Sequence, residues 1–343
     1  MDDLTFAVVG GGAWGTTFAS MVAERHDVRL WAREPEVVQA ITERHENTQF
    51  LPGVELDPSL RASSSLPEAL DDCDVAVMVV PAQHVRGVAE LVAPLLAPGA
   101  PVVSLAKGIE QHTLLRPTQV LTEVLTEHDP DLVGVLSGPN LAREIAAGHP
   151  AATVIAMAAE AWGRRLQSQL TSDRFRVYTS TDVVGCEIGG AVKNVMAIAA
   201  GMADGLGYGW NTRAALVTRG LAELTRLGVA LGGDPLTFLG LAGNGDLIAT
   251  CGSTESRNHR VGFELGRGRS LQEILAGTSS VAEGVSSAPA VLALANQVGV
   301  ELPIATQVQA VLTGERSPAE VVGALMHRDP TTELHDLPPS DRS

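Results

Sequence analysis

The stretch LTFAVVGGGAWGTTFA, residues 4–19, constrains this chain more than any other. An apolar run from Leu4 to Val9 ends in Gly10-x-Gly12-x-x-Gly15, and an apolar helical pattern starts directly behind it. Gly10 permits a tight turn, Gly12 lets the backbone approach a pyrophosphate, and Gly15 lets helix and strand pack closely. The helix N-terminus would then present amide hydrogens and the positive end of its dipole to phosphate. A purely structural glycine turn is the competing account, and the strand–turn–helix context weighs against it.

The same alternation continues along the chain. DVRLWAR, DVAVMVV, PVVSLAKG, DLVGVLSGP, AATVIAMA and FRVYTS are short β-rich runs, with helical patterns between most of them. Several are apolar throughout, as a parallel sheet covered on both faces requires. The expected class is α/β, a Rossmann-type doubly wound sheet followed by an all-α C-terminal domain. After about Thr181 the strands stop. AALVTRGLAELTRLGVAL places Val217, Leu221, Leu224 and Leu231 on one helical face, and SAPAVLALANQVG and ATQVQAVLTG also read as helices. With 343 residues the chain is too long for one core. The expected domains are a dinucleotide-binding domain over 1–181, a helical substrate domain over 182–328, and a polar, Pro-rich, disordered tail over 329–343.

Charge and composition exclude several functions. A formal net charge of −16 argues against sequence-independent nucleic-acid binding, and 3% aromatic residues leave little for base-stacking platforms. The acidic start MDDLTF lacks a signal peptide's basic region, and no uninterrupted apolar run is long enough to span a membrane. A cytoplasmic protein with no nucleic-acid or membrane partner is expected. Cys73, Cys186 and Cys251 are an odd, widely spaced set, against both a disulfide framework and a metal site.

Other residues carry candidate chemistry. The second β-run ends in Ala32 and Arg33, followed by Glu34, where NAD-selective sites carry an acid. Arg33 attracts a 2′-phosphate, which leans towards NADPH, but a solvent-facing arginine fits as well and the preference stays open. Lys107 lies just past an apolar strand, at the carboxyl end where open sheets bind ligands. Gly138-Pro139 turns the chain after another strand, and Asn140 is placed to N-cap the next helix. Asp246 follows two glycines. Ser256 is an N-cap candidate, which puts Arg257 and Asn258 in a first helical turn. A cation there is unfavourable unless an anion compensates, so phosphate is one account and a salt bridge to Glu255 or Glu264 the other.

Lys193 stands out differently. In EIGGAVKNVMAIAAGMADG it is the only charge between Glu187 and Asp204. It either snorkels to water or is held in a cleft to handle a proton.

GGGAWGTTFA, SLAKGIE, SGPNLAREIAAG, GCEIGGAVKNVMAIAAGMADG, NTRAALVTRGLAELTRLG and GNGDLIATCGSTESRNHRVG occur in this order. Together they closely resemble bacterial NAD(P)-dependent sn-glycerol-3-phosphate dehydrogenase, from Thr5 to about Leu325. The resemblance implies reversible reduction of dihydroxyacetone phosphate to sn-glycerol 3-phosphate for phospholipid synthesis, with Lys193 as catalytic acid and base. It implies that Lys107, Gly138, Asn140, Lys193, Asp246, Ser256, Arg257 and Asn258 line the substrate site. Ala13, Trp14, Arg33, Lys107, Ala142, Arg257, Val281 and Glu283 would join Gly10, Gly12 and Gly15 at the cofactor, NADPH or NADH. Two positions depart from the family's pattern: Asn140, usually Ser or Thr, and Asn244, usually apolar. On this reading the Lys193 segment forms one wall of a cleft between the domains. A homodimer is compatible with it, and the oligomeric state stays open. The rivals are a dehydrogenase of another β-hydroxy acid or sugar phosphate, and a non-enzymatic NADPH-binding redox sensor.

Overall fold

The computed structural model describes residues 4–277, 282–327 and 332. Eight strands form one sheet: β1 (Thr5–Val9), β2 (Asp27–Trp31), β3 (Arg61–Ser63), β4 (Val75–Met78), β5 (Val102–Ser104), β6 (Val133–Ser137), β7 (Ala151–Ala156) and β8 (Phe175–Ser180). Their order is β3-β2-β1-β4-β5-β6-β7-β8. The chain winds outwards from β1 to β3, then returns to β4 on the other side of β1. That reversal is the topological switch point at which such sheets bind ligands, and the Gly10–Gly15 turn leaves β1 there.

Alternate residues of β1 serve opposite layers. Phe6 and Val8 pack with Phe18, Val22, Val28 and Leu30. Ala7 and Val9 pack with Met78, Val85 and Ala89. Burial on both faces explains why the central strands read as continuous apolar runs.

Two details differ from the sequence expectation. The β6–β7 pair is antiparallel while every other neighbouring pair is parallel. The β6–β7 connection holds only the five-residue helix Ala142–Ala146, too little for a full crossover helix. β3 is a three-residue edge strand, Arg-Ala-Ser, with no apolar signal of its own; it exists through its register with Arg29–Trp31.

The chain divides into two compact units. The first runs to Glu110 and resumes over Leu115–Val183; the second takes Gln111–Leu114 and continues from Val184. Among the described residues the second unit is helical, and its axis is the helix Val183–Gly205, in which every residue from Gly185 to Ala203 is buried. This helix is long and apolar enough to cross a membrane, with a mean hydropathy of 1.4, but 89% of that window is buried inside the protein. Its apolarity belongs to a core.

Backbone contact fixes how a second helix lies on it. A Cβ on Gly201 would come within 2.0 Å of the His259 carbonyl oxygen, and one on Gly262 within 2.0 Å of that of Ile198. Any larger residue would push the helices Val183–Gly205 and Arg257–Gly266 apart.

The helix Trp210–Ala230 buries a different face from the one expected. Of Val217, Leu221, Leu224 and Leu231 only Leu224 is buried, and the buried set is Gly220, Glu223, Leu224, Arg226, Leu227 and Gly228. Glu223 is there because its carboxylate accepts the amides of Ile304 (2.6 Å) and Ala305 (3.3 Å), at the open end of the helix Pro303–Leu312. A buried acid that satisfies orphan helix amides is invisible to an apolar-face count.

Candidate active site

In the first unit the three glycines are needed for distinct reasons. Gly10 has φ +131°, and a Cβ there would lie 2.4 Å from the Val79 carbonyl oxygen. A Cβ on Gly15 would lie 1.9 Å from the Gly10 oxygen, whereas one on Gly12 would meet nothing within 4 Å. Gly12 is the N-cap of the helix Ala13–Ala23 and offers no side-chain cap. Its first amides therefore lack the usual side-chain acceptor, beside open space at Gly12. An anion fits that arrangement.

Ala13 and Trp14 form the first turn of this helix, and Trp14 Nε1 is buried without a hydrogen-bond partner. Thr17 of the same helix donates to the carbonyl of Ala142 at 3.3 Å. Arg33 is 80% exposed and pairs with Glu34 at 2.7 Å.

Lys107 donates to the Gly138 carbonyl oxygen at 2.8 Å. Gly138 has φ +147°, a region that favours glycine. Asn140 does not N-cap. The following helix starts at Ala142 with Leu141 as its N-cap, and Asn140 Nδ2 instead donates to Thr153 Oγ1 at 3.1 Å. The Thr153 hydroxyl, anchored on Ser137 O at 2.9 Å, supplies the acceptor that draws the amide away from the helix. Asn140 Oδ1 and Ser137 Oγ are buried without partners. With Trp14 Nε1 they are polar groups of the kind a bound ligand satisfies.

The Lys107 loop is held from behind. Arg86 places Nε and Nη2 on the Glu110 carboxylate at 3.0 and 2.9 Å, and Gln83 donates to the carbonyl of Ile109 at 2.7 Å.

In the second unit Lys193 does not snorkel. Its side chain is 8% exposed, and its ammonium lies 2.8 Å from Asp246 Oδ1 and donates to Thr250 Oγ1 at 2.7 Å. Thr250 in turn donates to Asp246 Oδ1 at 3.0 Å. The carboxylate offsets the cost of burying the ammonium. Two of the three ammonium hydrogens are directed by this triangle, leaving the third for a ligand. A π-turn, Leu241–Gly245, delivers Asp246 to its place and contains the half-buried Asn244. Cys251 is beside the pair, and burial pushes its thiol up to about 12 against the pull of Lys193. It stays a thiol at neutral pH.

Ser256 caps the helix Arg257–Gly266, its hydroxyl accepting the His259 amide at 3.3 Å. Arg257 is exposed in the first turn and pairs with no carboxylate among the described residues; Glu264 pairs with Arg269 instead. Asn258 faces inwards. Its Nδ2 donates to Asn194 Oδ1 and its Oδ1 accepts the amide of Gly284, both at 2.8 Å. Asn258 therefore ties the Lys193 helix to the helix Glu283–Gln297. Glu283 opens that helix, and Val281 lies outside the described residues.

Family models match both parts of the chain: NAD-dependent glycerol-3-phosphate dehydrogenase N-terminus over residues 5–163, and C-terminus over residues 182–323. The chain belongs to this family. A glycerol-3-phosphate dehydrogenase [NAD(P)+] of Sphingopyxis alaskensis is 51% identical over 97% of this chain and 99% of its own length. One of Citrifermentans bemidjiense is 48% identical over 94% and 97%. The solved glycerol-3-phosphate dehydrogenase of Coxiella burnetii superposes with a TM-score of 0.90 at 35% identity, covering 95% of this chain and 99% of that one. As a member of the family the chain is an oxidoreductase whose cofactor is NADH or NADPH.

Sequence reasoning missed several members of these clusters. Thr250 follows Asp246 by one helical turn, a spacing that could have pointed to it. Arg86 lies in none of the quoted motifs, and Glu110 and Asn194, though inside SLAKGIE and GCEIGGAVKNVMAIAAGMADG, show no partner in sequence; only the folded chain brings Arg86 to Glu110 and Asn258 to Asn194.

Proposed function

We propose that this chain reduces dihydroxyacetone phosphate to sn-glycerol 3-phosphate, reversibly, with Lys193 as general acid in one direction and general base in the other. The observation that carries the reading is the buried Lys193–Asp246–Thr250 triangle. When bound, the nicotinamide supplies the hydride. As negative charge grows on the carbonyl oxygen, the third ammonium hydrogen of Lys193 donates to it and passes across. Asp246 and Thr250 keep the ammonium from rotating away, and in the reverse direction Asp246 stabilises the cation as it re-forms. Arg257, which has no carboxylate partner among the described residues and stands in a helix first turn, is suited to the substrate phosphate, with Ser256 and Asn258 holding that turn in shape. Lys107, Gly138 and Asn140 line the same substrate in this reading.

The first helical turn from Gly12 holds the pyrophosphate, with Trp14 and Ala142 beside it. Arg33 favours NADPH: its exposed pair with Glu34 contributes little and gives way to a 2′-phosphate. Val281 and Glu283 complete the cofactor contacts. The enzyme works in the cytoplasm, as a homodimer, and its product feeds glycerophospholipid synthesis.

The test is oxidation of NADPH and NADH with dihydroxyacetone phosphate, beside a panel of other phosphorylated ketones and 2-keto acids. Turnover should be confined to dihydroxyacetone phosphate; preference for another ketone would replace the substrate assignment. In the same assay Arg33→Ala should raise KM for NADPH and leave KM for NADH nearly unchanged. Equal effects on both would leave Arg33 no role at the 2′-phosphate.

A further inference from the structure

Asn47 lies in the segment after the helix Pro35–Arg44, far in sequence from the glycine turn, and is completely buried. Its Nδ2 donates to the Gly11 carbonyl oxygen and to Thr16 Oγ1, both at 2.8 Å. Its Oδ1 accepts the Phe50 amide at 3.0 Å. A carbonyl on one side and an N–H on the other allow only one orientation of the side-chain amide. Thr16 Oγ1 adds a longer bond to the same Gly11 oxygen, at 3.3 Å.

The Gly11–Gly12 peptide is trans, so its C=O and N–H point in opposite directions. Fixing the Gly11 oxygen on Asn47 therefore turns the Gly12 N–H the other way. A Cβ on Gly12 would meet nothing within 4 Å, so the backbone is open there. Glycine on both sides makes this peptide easy to flip, because neither residue restricts φ as a Cβ would. Flipped, it would aim a carbonyl lone pair at an arriving phosphate.

We propose that Asn47 is a positioning residue that holds the Gly11–Gly12 peptide with its donor, not its acceptor, towards the dinucleotide pyrophosphate. This rests on the assignment of the Gly10–Gly15 turn to the cofactor. The bland alternative is that Asn47 serves only its own turn. The two roles belong to different atoms: Oδ1 closes the turn on Phe50, and Nδ2 reaches the glycine loop.

Asn47→Asp separates them, because it keeps the acceptor for Phe50 and removes the donors. Thr16→Val is a milder second variant that removes the hydroxyl at similar volume. Binding is read by titrating the cofactor-free protein with NADPH and, separately, with 2′-AMP, which carries the adenosine end and lacks the 5′-phosphates. Asn47→Asp should weaken NADPH by about tenfold or more, the order expected for a lost buried hydrogen bond, while 2′-AMP binding stays within about threefold. Thr16→Val should show the same selectivity at smaller size. Gly12→Val tests the underlying assignment by filling the open space. If Gly12→Val leaves NADPH binding intact, the turn is not the phosphate site and the proposal falls with it. If Gly12→Val weakens NADPH but Asn47→Asp weakens both ligands alike, or neither, the proposal alone is overturned and Asn47 is a turn residue.

Discussion

Lys193 holds a positive charge in a helix where all its neighbours from Gly185 to Ala203 are buried, and Asp246 is what makes that tolerable. Lys193→Met should lower kcat by about a hundredfold or more, as loss of a general acid does, with NADPH binding nearly intact. It should also destabilise the protein, by about 3–5 kcal/mol, because the buried Asp246 carboxylate loses the ammonium that offsets its charge. Lys193→Met with Asp246→Asn should recover thermal stability and not turnover. Near-normal turnover in either would sink the assignment. Arg257 makes a separable contribution. Arg257→Gln should lower kcat/KM for dihydroxyacetone phosphate roughly ten- to a hundredfold, the worth of a charge-assisted hydrogen bond of about 1.5–3 kcal/mol. With unphosphorylated dihydroxyacetone most of that loss should vanish. Equal slowing of both substrates would make Arg257 a support for the fold or the cofactor.

At the scale of elements, local rules decide the ends of helices. The helices Leu271–Ala276 and Pro318–Met326 both begin with a capping box, Ser270 with Glu273 and Ser317 with Glu320. In each, the backbone amide and hydroxyl of the serine bind the carboxylate and hold its pKa below the usual glutamate value of 4.5. A carboxylate depressed in the folded state stabilises above its unfolded pKa, and the contribution is lost as pH falls through the folded value. Amide hydrogen exchange in the first turn of Pro318–Met326 should therefore accelerate as pH drops below about 4.5, beyond the intrinsic pH trend, and Glu320→Gln should abolish that dependence. An unchanged profile in the variant would show that the box does not hold the helix. Longer-range elements obey other rules. The Arg257 helix takes its place by backbone contact at Gly201 and Gly262, and the helix Pro303–Leu312 takes a cap from Glu223, eighty residues upstream.

At the scale of the molecule, dinucleotide binding and folding of the first unit are linked, because the Gly10–Gly15 turn exists only when β1 and the helix Ala13–Ala23 are formed. NADPH at about 100 times its Kd should stabilise that unit by about 2.7 kcal/mol, and removing it should lower the calorimetric midpoint by about 5–10 °C. Absence of any shift would remove the cofactor from this turn. Much of this architecture is local and was legible in order along the chain. The apolar runs of β1, β4 and β6, the glycine turn, the end of strands after Ser180 and the isolation of Lys193 follow from which residues are neighbours in sequence. Burial on both faces of a strand, or all around a helix, leaves a continuous apolar signal. The partners of those residues were not legible. Asp246 and Thr250 reach Lys193 across more than fifty positions, Asn258 turns inwards to Asn194, Asn140 prefers Thr153 to its own helix, and Asn47 reaches Gly11. A hydrogen bond depends on where two atoms stand in space, and only the packed chain sets that. Sequence determined which charges and glycines the chemistry could use; tertiary structure decided which atoms hold them in place.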